Sequence, residues 1–508
     1  QFQPESTRRA RNVAAEFGLK TRSIDLDTSR PQLLTFNSTQ LRRSSANQMI
    51  CDGSQQYQLK CDTLREIKRL RQNPEVLEAS PNYQWQALRV PNDELYRYQW
   101  NLTQMNLPQA WDITTGDPSV IVAVADTGVL LNHPDLQGQL IAGYDFIDNL
   151  SISEDGDGYD ANPDDPGDQL PGGSSFHGTH VAGTIAATTN NNEGVAGVAW
   201  LTKIMPLRVL GKGGIGSNYQ IEQALRYAAG LRNDSGTVPA QRADIINLSL
   251  GGPAVYPGFR QLIADIRNAG VILVAAAGNE DTDTPSYPAS LEGVVSVSAV
   301  AMNKKRASYS NYGPTIDVAA PGGDQTPDLN GDGFPDNILS TMGDDSGSRV
   351  AFVFDGAMGT SMATPHIAGV IALMKAANPS LTPQNFDDLL KSGQITNDLG
   401  PSGRDDNFGY GLIDAQKAVA AAIELGGGTV PQPEPQLVVS PSSLNFGLKT
   451  PSATLTLSNG GGGHLQIAKI SDDSGGFLSW QGSGLGTYTV TLDRSGLSAG
   501  TLSATITI

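Results

Sequence analysis

Cysteine is almost absent: Cys51 and Cys61 are the only two in 508 residues. They lie close together in a polar setting, and a bridge across so short a loop suits an oxidising compartment. Two free thiols, or half of a zinc site that no nearby His completes, are the alternatives. Long apolar runs are missing too. No stretch reaches about 18 apolar residues; the richest, Val271–Ala277 and Ile367–Leu373, have the length of core elements, which excludes a membrane-spanning helix. Basic residues fall short of acidic ones, 34 against 52, and a net charge of −18 argues against nucleic-acid binding by the chain as a whole. The chain starts at Gln1, with neither Met nor a basic–apolar–small leader. That fits a targeting segment already removed, or a recombinant fragment.

What is present implies two or three globular domains with one large core. Hydrophobic residues make up 39%, and 57 Gly with 30 Pro give a turn-rich chain without a collagen-type repeat. Charge divides it sharply. Residues 1–90 hold 14 Lys/Arg and 9 Asp/Glu, whereas 91–508 hold 20 and 43, so a basic leading segment is expected to dock on an acidic body. The leading segment reads as a small α+β unit, with helices at Glu5–Phe17 and Thr63–Arg71 and strands at Pro31–Phe36 and Val76–Ala79. Beyond Trp111, apolar strands (Val120–Ala125, Ile204–Val209, Asp244–Leu248, Val271–Ala276) alternate with helical stretches (Ser217–Ala229, Gly258–Asn268). Such a pattern predicts an α/β domain, a mostly parallel sheet covered by helices on both faces, with ligands at the carboxyl ends of its strands. Thr382–Leu390 and Ala415–Glu424 read as closing helices. Residues 426–436, GGGTVPQPEPQ, form a Gly/Pro linker. Residues 437–508, with short alternating strands at Ala453–Leu457, Tyr488–Leu492 and Thr501–Ile508, read as a small β-sandwich that is expected to continue past Ile508.

Four segments carry chemistry. VIVAVADTG ends an apolar strand in Asp126, a carboxylate suited to hold an imidazole by its Nδ1–H. FHGTHVAG places His177 in the first turn of a helix. GAMGTSMATPHIAG places Ser361 where an apolar helix begins, and free N–H groups there favour an oxyanion. AAAGNE ends another strand with Asn279, whose amide is a further donor. Taken singly, each has a bland reading: a turn or cap Asp, a structural His or one sharing a metal with His180, an N-cap Ser, a turn Asn.

Together the boxes resemble those of the subtilisin-like serine proteases, the subtilases, over roughly 91–425. Their order, Asp126…His177…Ser361 with spacings of 51 and 184, is the subtilase order. The resemblance implies a subtilisin-like fold and a secreted serine endopeptidase with Ser361 as nucleophile and His177 as general base and then acid. Asp126 would orient His177, and Asn279 with the Ser361 N–H would form the oxyanion hole. Gly214, Ile215 and Gly216 in one segment and Ser249, Leu250 and Gly251 in another resemble the two strands that sandwich an extended peptide. Glu280 and Ser286 would border the pocket for the residue before the cut, favouring large apolar side chains there and tolerating Lys or Arg.

The resemblance also implies structural calcium. A site in TTNNNEGV would use Asp135, the Asn191 side chain and the carbonyls of Thr189, Glu193 and Val195, with Asp93 as an N-terminal ligand. DLNGDGFPD, with Asp328, Asn330, Asp332, Phe334 and Asp336, reads from its spacing as a calcium loop with the early part of an EF-hand pattern. For that loop a solvated acidic insertion is the alternative; in the acidic stretch 153–168, Asp155, Asp157 and Asp160 are the expected ligands of a third cation. Residues 1–90 resemble an inhibitory, folding-assisting propeptide, removed by autocleavage at Leu88–Arg89. Residues 437–508 resemble small Ig-like or BACON-like modules of secreted bacterial enzymes. The expected partners are protein substrates and the propeptide, acting on a monomer. A selective processing protease, or a non-catalytic surface protein, are the competing readings.

Overall fold

The computed structural model describes residues 90–430 apart from 170–171 and 326–327. It also describes 437–508 apart from 441–442, 448–449, 460–466, 468, 483, 496 and 498–502. Before residue 90 it describes 20–21, 34–35, 67–70 and 76. The chain divides into two compact units, Gln1–Ala87 and Leu88–Ile508. In the first, β1 (Lys20–Thr21) pairs antiparallel with β2 (Leu34–Thr35), inside the expected strand 31–36. Residues 67–70 are helical, with Ile67 and Leu70 buried as the 63–71 pattern requires. The expected helix at 5–17, both cysteines (Cys51 and Cys61) and the cleavage position Leu88–Arg89 lie outside the described residues.

The second unit is built on β3 (Ile121–Asp126), β4 (Tyr144–Asp145), β5 (Lys203–Arg208), β6 (Ile245–Leu248), β7 (Ile272–Ala276), β8 (Val294–Val300) and β9 (Val318–Pro321). A hairpin, β10 (Ile338–Asp344) and β11 (Ala351–Ala357), stands apart from the main sheet, and β12 (Thr396–Asn397) and β13 (Leu412–Ile413) complete it. The nine-stranded sheet runs β12–β13–β9–β8–β7–β6–β3–β5–β4, parallel throughout except at the β12–β13 edge. Alternation along β3 feeds two cores. Val122 and Val124 pack under the helices α1 (His177–Ala186) and α4 (Thr360–Ala377). Ile121, Ala123 and Ala125 pack under α2 (Asn218–Ala228) and α3 (Phe259–Asn268). Both faces are thus covered, as the continuous apolar strands imply. Strand order reverses around β3, whose neighbours are β5 on one side and β6 on the other, and a cleft at the carboxyl ends of the strands follows from that switch.

Between residues 120 and 425 the expected strands and helices match the observed ones to within a residue or two. Ser217 lies one residue outside α2 and caps it, in a box with Gln220; Thr382 and Asn385 do the same for α5 (Pro383–Lys391). At the C-terminus, β14 (Leu437–Ser440), β15 (Ser452–Asn459), β17 (Leu478–Gln481) and β18 (Gly486–Leu492) make an antiparallel sheet, while β16 (Ser471–Asp472) pairs with β19 (Ile506–Thr507). Leu455, Leu457, Tyr488 and Val490 form their core. Among the described residues, the strand expected at 501–508 is confined to β19.

Candidate active site

Asp126 is the last residue of β3 and is fully buried. His177 opens α1, and its Nδ1 lies 2.7 Å from Asp126 Oδ1. The same oxygen accepts from the Thr127 N–H at 2.8 Å, while Oδ2 is buried without a partner among the described residues. Gly178 lets the helix come this close: a Cβ there would stand 2.1 Å from the Gly128 carbonyl oxygen. Burial disfavours the imidazolium, but the Asp126 charge and hydrogen bond, helped by Asp168 and Asp165, outweigh it and raise the His177 pKa above its ordinary value. The His–carboxylate pair is therefore built to hold a proton transiently.

Ser361 is the second residue of α4, whose N-cap is Gly359 at φ 151°. A helix lacks internal acceptors for its first N–H groups, so the Ser361 N–H is available to a ligand. Asn279, following β7, is oriented by its neighbours. Its Oδ1 accepts from the Thr360 N–H at 2.8 Å and the Thr360 hydroxyl at 2.9 Å, which commits the oxygen and leaves Nδ2 as the outward group. A Cβ at Gly359 would lie 3.5 Å from that Nδ2 and 3.6 Å from the Ser361 N, so both donors border one small space. Among the described residues the Ser361 hydroxyl donates to the Ser249 carbonyl at 3.1 Å, rather than to His177, and the Ser249 hydroxyl returns a bond to the Ser361 carbonyl at 2.8 Å. Catalytic hydrogen bonds are often loose before substrate arrives.

Ser249 and His177 line one cleft of about 730 Å³, together with Gly214–Gly216 and Leu250–Gly252. Gly213 and Gly214 adopt φ of 74° and 66°, a left-handed turn that sets Ile215 in extended backbone and leaves its side chain 65% exposed. The opposite wall is pinned by the Gly252–Tyr287 backbone pair. Ser286 lies against Gly251, where a Cβ would come within 2.5 Å of the serine hydroxyl. Glu280 is turned back on its own strand end: its carboxylate accepts from the Asn279 N–H at 2.9 Å and the Asn311 amide at 2.8 Å.

A protein-family model described as the subtilase family matches residues 117–411. This chain belongs to the subtilase family. It is similar to an extracellular protease of Xanthomonas campestris pv. campestris, 37% identical over 70% of this chain and 61% of that protein. An extracellular basic protease of Dichelobacter nodosus is 38% identical over 68% and 58%, respectively. A thermophilic serine proteinase of Bacillus sp. (strain AK1) is 39% identical over 70% and 75%. Among solved structures, one titled as proteases from Pseudoalteromonas arctica PAMC 21717 matches with a TM-score of 0.60 and 42% identity, over 65% of this chain and 99% of that one. The chain spans about three fifths of the length of the first two relatives.

Three acidic loops of this subtilase differ in how their charge is met. Asp93 and Asp135, both buried, converge on the 189–195 loop: Asp93 accepts from the Asn190 N–H, and Asp135 from the Asn191 amide at 2.9 Å and the Val195 N–H at 3.0 Å. Burial, then the charges of Asp93 and Glu193, push the Asp135 carboxyl up to about 7. Neither makes an ion pair among the described residues, and a pair of buried carboxylates beside loop carbonyls suits a hard cation. In the second loop Asp328 collects the N–H groups of Gly331, Asp332 and Gly333, and the buried Asp336 Oδ1 has no partner among the described residues. Gly333, the sixth residue of that loop, sits at φ 92°, a left-handed turn that glycine adopts readily. In the third, Arg208 at the end of β5 is buried and bonds Asp145, Asp155 and the Ser153 carbonyl. The Arg208 guanidinium answers the Asp155 charge, while Asp160 Oδ1 accepts from the Asn162 N–H. Asp155, Asp157 and Asp160 do not gather around one point: among the described residues no three His, Cys, Asp or Glu side chains form a metal-holding group. Calcium in the first two loops therefore needs carbonyl, amide or water oxygens as well.

Sequence reasoning did not find Thr127, Thr360, Asn311 or Arg208. Thr127 and Thr360 each adjoin an identified residue, which was the available signal. Arg208 carried none, since its partners lie 53 to 63 residues earlier.

Proposed function

We propose that this chain is an extracellular serine endopeptidase working through Ser361. The Ser361 oxygen attacks the scissile carbonyl carbon while His177 Nε2 takes its proton, and Asp126 stabilises the imidazolium. The carbonyl oxygen becomes an oxyanion between Asn279 Nδ2 and the Ser361 N–H. The C–N bond then breaks, the His177 proton goes to the leaving amine, and a water molecule repeats the sequence to release the acyl group. The observation that carries the reading is the commitment of Asn279 Oδ1 to Thr360, which turns its amide donors to the space before Ser361.

Extended protein segments would bind between 214–216 and 249–251 by main-chain hydrogen bonds, with little reading of side chains. Selectivity would rest on the pocket beside Ser286, with large apolar residues favoured before the cut. The tied-back Glu280 carboxylate keeps enough exposure to meet Lys or Arg. Structural calcium would be held by Asp93, Asp135, Asn191 and the carbonyls of Thr189, Glu193 and Val195, and by Asp328, Asn330, Asp332, Phe334 and Asp336. Residues 1–90 would act as a self-removed inhibitory propeptide with a Cys51–Cys61 disulfide, leaving a monomer. The names of the relatives, an extracellular protease and a serine proteinase among them, support the class and the location.

Intact mass and N-terminal sequencing of the purified chain beside Ser361→Ala test this. Loss of about 10 kDa by the wild type alone, with a new N-terminus near Arg89, is expected from a ~90-residue propeptide at ordinary residue mass. Cleavage of Ser361→Ala at the same bond during purification would refute self-processing.

A further inference from the structure

Behind the Asp126–His177 pair lies a second buried carboxylate. Asp165 comes from the acidic insertion, is 2% exposed, and accepts the Thr127 hydroxyl proton at 2.6 Å and the Gly167 N–H at 2.9 Å. Thr127 adjoins Asp126, and Gly178 adjoins His177. The Gly178 N–H donates to the Thr127 hydroxyl at 3.0 Å, alongside the 2.7 Å contact of His177 with Asp126. Two hydrogen bonds thus join the dipeptide 126–127 to the dipeptide 177–178. A hydroxyl has one proton to give. By accepting it, Asp165 leaves the lone pairs of Thr127 for Gly178. The insertion is fastened here independently: the Val129 N–H donates to the Pro163 carbonyl at 3.0 Å and the Leu131 N–H to Asp164 Oδ1 at 3.1 Å.

We propose that Asp165 is a positioning residue for catalysis: through the Thr127 hydroxyl it fixes the first turn of α1, and with it the His177 ring, against Asp126. This rests on the serine-peptidase reading above. The charged and titratable groups around the pair are Asp126, Asp165, Asp168 and His180 near His177, with Asp168 and Arg208 near Asp165. Burial and then the Asp168 charge push the Asp165 carboxyl up to about 7 against its hydrogen bonds, so its charge is present on the alkaline side of neutrality. There it adds to the field that favours the His177 cation.

The test uses the full chain and a peptide anilide substrate, with active sites counted by sulfonyl fluoride titration and kcat and KM followed across pH. Asp165→Asn is expected to lower kcat about 10- to 100-fold, the scale of a small misplacement of reacting groups, with KM within about twofold. Its acidic limb should move to lower pH, because a negative charge has left the neighbourhood of the imidazole. Thr127→Val should show a comparable kcat loss, Thr127→Ser should recover most of it, and Asp165→Asn should cost little more in the Thr127→Val background, since the two act as a unit. Wild-type kcat and acidic limb in Asp165→Asn, or losses that multiply in the double variant, would overturn the proposal. If Asp165→Asn fails to fold, equal kcat in Thr127→Val and wild type overturns it instead. A wild type that neither cleaves nor labels would sink the serine-peptidase reading itself, and this inference with it.

Discussion

Single residues decide the chemistry through groups that hold them. In the proposed mechanism Asn279 can donate because Thr360 takes its oxygen, and His177 can act as a base because Asp126 takes one ring nitrogen. Loss of one oxyanion donor costs about 100- to 1000-fold in kcat in subtilisin-type enzymes, and Asn279→Ala is expected to do the same here with KM little changed; steady-state kinetics on a peptide anilide check it. The residues proposed to act stand out in the sequence because each closes a short local pattern: a strand ending in Asp, a helix opening on His or Ser. The residues that hold them do not. Thr127 meets Asp165 at a separation of 38 and Arg208 meets Asp155 at 53, distances at which only the folded sheet decides what touches.

Elements follow from periodicity where burial is uniform. The strands β3, β5, β6 and β7 are buried almost throughout, and they appear in the sequence as predominantly apolar runs. The β10–β11 hairpin was not legible. Ala351–Ala357 is half-exposed along its whole length, so neither face imposes an alternating pattern. Helix α4 carries an element-scale consequence of burial. His366 is fully buried, with Nδ1 at 2.7 Å from the Met362 carbonyl and Nε2 at 2.7 Å from the Asn101 amide, which makes Nδ1 the donor and Nε2 the acceptor. Burial lowers its pKa to about 4, and that of His180 on α1 to about 3. A neutral buried His stabilises the fold fully above its unfolded pKa of 6.5, and that contribution is lost as pH falls from 6.5 toward 4. Between pH 7 and pH 5, His366→Gln should therefore lose about 2 kcal/mol less stability than the wild type, read from urea unfolding of active-site-blocked protein.

At the scale of the molecule, acidity is the organising fact. The body after residue 90 is strongly acidic, and its loops answer that charge differently: Arg208 closes the insertion at 153–168, whereas Asp93 and Asp135 face each other without a cationic side chain among the described residues. A chelator should therefore lower the melting temperature and hasten autolysis, and Asp135→Asn should blunt that response; unchanged melting with excess chelator would contradict calcium at these loops. Composition changes along the chain: the Gly/Pro stretch 426–436 and the sparsely charged residues 437–508 differ plainly from residues 91–425. The central claim is that Ser361 is an activated nucleophile. Its most direct test is labelling with a fluorophosphonate probe, located by peptide mass mapping, in parallel with cleavage of a denatured protein substrate. The account expects one label, on Ser361, and loss of cleavage in step with labelling. Full cleavage by Ser361→Ala, or a label on another residue with Ser361 unmodified, would contradict it.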